Sequence, residues 1–107
     1  MGILLENLKE ETLKEKIGTK FRRMMGARPL KDYTEVRKRV LSMIDNCKTK
    51  EEIDYLIQDF RSANIIMGQM IKDFPESKAI LEDQLHWINT VAMSAANKKA
   101  NEIKKNN

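Results

Sequence analysis

A chain of 107 residues with 41% apolar and 34% charged side chains is sized for one folded domain, and that mixture excludes a disordered polymer. Four Gly and two Pro leave room for long helices, and a lone cysteine, Cys47, excludes an internal disulfide framework. The net charge of +4 conceals a separation: residues 14–39 carry ten Lys/Arg against three acids, residues 51–83 carry eight acids against three bases, and residues 84–107 return to +3.

The first predicted helix runs from about Ile3 to Met25, with Leu13, Ile17, Phe21 and Met24 at helical spacing. Thr12 and Glu15 have capping-box spacing, so regular helix is expected to start there. Gly18 weakens the segment. Gly26 followed by Pro29 gives the expected order of stop signals. Glu6 and Glu10 interrupt the early apolar run, which excludes a signal peptide, and Glu6 stands where a myristoylation motif wants Ser or Thr.

Asp32 with Glu35 marks the second start. Tyr33, Val36, Val40, Ile44 and Cys47 then line one face, and Cys47 reads as a small buried hydrophobe at the end of that stripe. Thr49 with Glu52 is the clearest capping box in the chain and opens the third helix. There Ile53, Leu56, Phe60, Ala63, Met67, Met70 and Phe74 are spaced 3, 4, 3, 4, 3, 4, a heptad seam that Ile57 and Ile71 widen to a bundle face. Pro75 fits the first position of a new helix. In that fourth helix Leu81, Leu85, Ile88, Ala92 and Ala95 are spaced 4, 3, 4, 3.

A turn this short makes the third and fourth helices antiparallel neighbours. The predicted fold is therefore all-α: a three- to four-helix bundle built on a long antiparallel hairpin of about residues 50–73 and 76–104, one domain over 1–107, with a polar basic tail at 104–107. Folding the chain at Pro75 pairs positions whose numbers sum to about 152. This puts Phe60 against Ala92 and Met67 against Leu85, with Asn64 at the seam edge, where it either fixes register or simply points to water.

Catalytic chemistry has little to work with. His86 is the one histidine, so a His-based zinc site lacks ligands. Asp83 and His86 have the acid-x-x-His spacing of helical di-iron sites, which need that motif twice with two further carboxylates. Glu51 and Asp54 could start a paired acidic motif on adjacent helices, but the nearest second pair, Asp73 and Glu76, straddles Pro75. No glycine-rich phosphate loop or nucleophile elbow occurs. The expectation is a non-enzyme with no metal, cofactor or small-molecule substrate. No apolar run approaches the roughly 20 residues of a membrane span, so a cytoplasmic protein is expected, in the host cytoplasm if phage encoded.

Two groups of residues stand out as binding candidates. The first is basic: Lys16, Lys20, Arg22, Arg23, Arg28, Lys31, Arg37, Lys38 and Arg39. Their arginines suit phosphate or carboxylate recognition, and Arg22, Arg23, Arg28 and Arg37 are expected to be largely exposed and without carboxylate partners in the free protein. The bland alternative is a solvated face balanced by the acidic third helix. The second group is the apolar surplus off the seams: Tyr55, Ile65, Ile66, Ile80, Trp87 and Val91. It reads either as an interface anchored by Trp87 or, more simply, as surface covered by the first two helices. A protein partner, a second copy or a nucleic acid is the expected ligand. A small inhibitor, adaptor or assembly component of a phage or mobile element fits the size and composition, and a nucleic-acid-binding accessory protein using residues 14–39 is the alternative. The segment joining the first two helices is longer than a helix-turn-helix turn, which argues against sequence-specific DNA reading.

Overall fold

The computed structural model describes residue 21, residues 23–26 and residues 28–106; most of the first predicted helix, with its Thr12–Glu15 capping box, lies outside them. The described residues are mostly helical and include no strand, and the all-α class is as the periodicity predicts. Among the described residues four α-helices have both bounds given: α1 (Thr34–Asn46), α2 (Lys50–Asp73), α3 (Lys78–Trp87) and α4 (Met93–Asn106). A 3-10 turn, Pro75–Ser77, separates α2 from α3, and a π-helical turn, Ile88–Ala92, joins α3 to α4. Upstream, Phe21 and residues 23–25 are helical. That helical stretch ends at Gly26, whose φ of +75° is the left-handed conformation that glycine adopts without strain.

The start of α1 differs from the expected cap. Asp32 Oδ1 accepts from the backbone N–H and the hydroxyl of Thr34, at 2.9 and 2.6 Å. This local turn holds the aspartate short of a true N-cap position, and Glu35 faces Lys38 instead. The same two hydrogen bonds hold the Asp32 carboxyl below its ordinary pKa. At α2 the predicted box forms: the Glu52 N–H donates to Thr49 Oγ1 and the Thr49 N–H donates to Glu52 Oε1, both at 3.2 Å. These bonds satisfy donors that a bare helix start leaves orphaned.

The α2 seam is buried from Ile53 through Leu56, Phe60, Ala63 and Met67 to Met70. Phe74, Ile57 and Ile71 pack against it, partly exposed. Beyond the turn the buried stripe is Leu81, Gln84, Ile88, Ala92, Ala96 and Ile103, while Leu85 and Ala95 are only half-buried. The inward placement of Gln84 in place of Leu85 lies upstream of the π turn, whereas beyond Ile88 the predicted spacing fails because of that turn. There the Met93 N–H bonds to the Ile88 carbonyl, five residues back, so one extra residue fits into the turn and the inward position moves from Ala95 to Ala96. The Thr90 hydroxyl donates to the His86 carbonyl at 2.7 Å, giving that carbonyl a partner within the distorted turn.

Across the two limbs, Asn64 and Asn89 exchange hydrogen bonds of 3.0 and 2.8 Å. Their numbers sum to one more than the fold-back value expected from the sequence. Upstream residues close the core: Phe21 lies against Phe60 with ring centroids 5.5 Å apart, within the favourable range for tilted aromatic pairs. Tyr33 is buried, and its hydroxyl accepts from the Leu30 N–H.

Candidate functional site

Gln84 is the one buried polar side chain among the described residues, and it organises the junction of α1 with α3. Its Oε1 accepts from Arg37 Nε at 2.7 Å, and its Nε2 points at Met25 Sδ, 3.9 Å away. Arg37 Nη2 also reaches Asp83 Oδ2 at 2.8 Å, and the guanidinium lies over Trp87, 5.4 Å from the ring centroid. Residues 83, 84 and 87 present one side of α3, and a single arginine of α1 binds all three.

Arg37 therefore corrects the expectation of a free cation. Its side chain is 29% exposed and committed to a carboxylate of the same chain. The carboxylate comes from α3 rather than from the acidic third helix named by the sequence. Charge runs do not show such a partner, because it depends on which face of a distant helix lies opposite. Trp87 is correspondingly half-buried and packed against the core, as is Ile80.

The other basic positions separate clearly. Lys16, Lys20 and Arg22 lie outside the described residues. Arg23, Arg28, Lys31 and Arg39 are exposed, and none takes part in an ion pair among the described residues. Lys38 meets Glu35 at 3.6 Å with both side chains open to solvent, a pair of small energetic worth.

Of the apolar surplus, Tyr55 is half-buried, whereas Ile65, Ile66 and Val91 are exposed at 78%, 42% and 45%. Leu30 and Leu41 are exposed too, outside both groups of candidate residues. Ile66 borders a mostly apolar groove of about 290 Å³ between the 21–26 segment and α2. Phe21, Met25, Ala63 and Met67 line it, with Asp59 and Ser62 at its polar edge. The i, i+4 spacing of Phe21 and Met25 was the signal that could have marked this wall in advance.

No protein family, curated protein or solved structure matches the chain.

Cys47 is buried, and its thiol donates to the Met43 carbonyl at 3.2 Å. Burial, with a smaller push from the Glu52 charge, raises its pKa to about 11, so it is a neutral thiol near pH 7 and a poor nucleophile. Asp83 of the Asp83–His86 pair is held by Arg37, and among the described residues no three His, Cys, Asp or Glu gather as a metal site. No helix among the described residues is long and apolar enough to cross a membrane.

Proposed function

We propose that this chain is a non-catalytic helical interaction protein, acting by self-association or by docking on a protein partner as a small inhibitor, adaptor or assembly component. The observation that carries this reading is the apolar groove between the 21–26 segment and α2, with Ile66 exposed at its rim and Ile65 exposed beside it. Adjoining exposed apolar side chains of this kind favour association over solvent. Cys47, the side chain closest to a nucleophile, is held neutral.

A second reading, a nucleic-acid-binding accessory protein, draws on Arg23, Arg28, Lys31 and Arg39, which are exposed and outside any ion pair among the described residues. One paired measurement separates the two: solution mass, and affinity for duplex and single-stranded nucleic acid across a salt series. Phosphate binding through these cations must weaken steeply as added salt shrinks the gain from counterion release. A self-associating species with no such affinity supports the first reading. A monomer with steeply salt-dependent nucleic-acid binding replaces it with the second.

A further inference from the structure

Gly68 stands in the interior of α2, a 24-residue helix. Glycine is a poor helix former because it loses the most backbone freedom on folding. Two circumstances usually require one. The first is a left-handed backbone, but Gly26 is the one glycine with positive φ among the described residues. The second is crowding at Cβ, but a Cβ placed on Gly68 meets nothing within 4 Å beyond its own stretch of helix. Nothing in the described chain therefore asks for glycine here. The remaining use of a glycine is close approach by something outside.

The neighbours of Gly68 say what that is. Arg61, Ile65, Gly68 and Lys72 are separated by four, three and four residues, which puts them in one row along α2. Ile65 is the most exposed large hydrophobic residue among the described ones, at 78%. Arg61 and Lys72 are exposed and about 16 Å apart along the axis. Neither belongs to an ion pair of the described residues. Lys72 also suits the negative end of the helix, in its last turn, but Arg61 stands in mid-helix and has no such role. Between Gln58 and Lys72 the one acid is Asp59, which borders the groove on the other side of the helix.

We propose that this row is the docking site of an acidic amphipathic helix from another protein. The inference rests on the docking branch of the proposed function and names its surface and its partner. The partner sets an apolar side chain into the notch over Gly68, against Ile65, and its carboxylates reach Arg61 and Lys72 at either end. A glycine at the crossing lets the two helix axes approach at the short end of the usual spacing of roughly 8–10 Å. A second copy is the wrong occupant, because it would bring the same cations against each other. Nucleic acid fits less well, because a phosphate backbone gives Ile65 nothing to pack on.

The test uses the full chain and a fluorescein-labelled helical peptide of about 18 residues, built from leucine, alanine and glutamate with its leucines on one face. A second peptide carries lysine in place of every glutamate. Fluorescence anisotropy at low salt should show saturable binding of the glutamate peptide below about 1 mM protein, and binding of the lysine peptide weaker by about tenfold or more. Arg61→Glu/Lys72→Glu should reverse that preference. Gly68→Ala should raise the melting temperature by about 4 °C, and Gly68→Leu should stay folded yet weaken binding about tenfold. A glycine needed for the fold itself would instead make both variants less stable, which overturns the proposal. A glutamate peptide that does not bind also overturns it. One that binds every variant as well as wild type does so too, with docking kept and moved to another surface. Binding of a duplex or single-stranded oligonucleotide that Arg61→Glu/Lys72→Glu abolishes would assign the row to phosphate and overturn the protein partner. Solution mass, which decides the self-association branch, is read separately from all of these.

Discussion

Arg37 and Gln84 lie 47 residues apart in sequence, yet the arginine Nε donates to the buried glutamine Oε1 at 2.7 Å. A buried amide in an apolar core is costly without such a partner. The bond thus ties the Arg37 side chain of α1 to α3. Removing one member should cost more than removing both. We expect Arg37→Ala to lose about 1.5–3 kcal/mol in urea unfolding, and Arg37→Met with Gln84→Leu to lose much less. A double-mutant cycle with no coupling between the two sites would show that the bond is incidental.

Trp87 lies beneath the same guanidinium. Trp87→Ala should lower the melting temperature without lowering the mass in solution, because the ring packs within the chain rather than between copies. A variant with unchanged melting temperature and reduced oligomeric mass would reverse that assignment.

The π turn makes Ala96, not Ala95, the fully buried alanine. Ala96→Leu should therefore overpack the core and cost about 1–3 kcal/mol. Ala95→Leu, at a half-buried position, should be clearly milder. Equal costs by thermal or denaturant unfolding would place the inward face elsewhere.

Cys47 offers a pH handle. Its pKa is raised from 9.0 to about 11 in the folded chain, so folding favours the protonated thiol. That contribution is constant below about pH 9 and is lost as pH rises toward 11. The stability difference between wild type and Cys47→Ala should be flat from pH 6 to about 8.5 and then move against wild type. Subtracting the variant cancels the lysine and tyrosine titrations that the two proteins share. A difference independent of pH would mean that the thiolate is as well solvated folded as unfolded.

Much of this fold was legible because its helices are marked by spacing and caps. The Thr49–Glu52 box and the α2 seam appear where the residues imply. Two features were not legible. The π turn has no signature in a stripe that already satisfies a heptad pattern up to Ile88. The burial of Gln84 could not be read either, since a polar residue on a helix edge looks solvent-facing until a distant arginine is placed beside it. The candidate site was legible in part. Ile65, Ile66 and Val91 are exposed, while Trp87, Ile80 and Arg37 belong to packing. Composition identifies surplus side chains, but only the neighbouring helix decides which of them it covers.

The rod from Lys78 to Asn106 contains one residue more than its packing requires. Deleting a single position within the Ile88–Ala92 turn would move Ala92, Ala96 and Ile103 back by one. Together with Leu81, Gln84 and Ile88 they would then fall on an unbroken heptad stripe. A deletion elsewhere in the rod would swing one of its ends off the core by about 100°. The rod thus carries its own tolerance for a change in chain length, confined to one turn. A shortened variant that melts near wild type, beside others that do not fold, would reveal it.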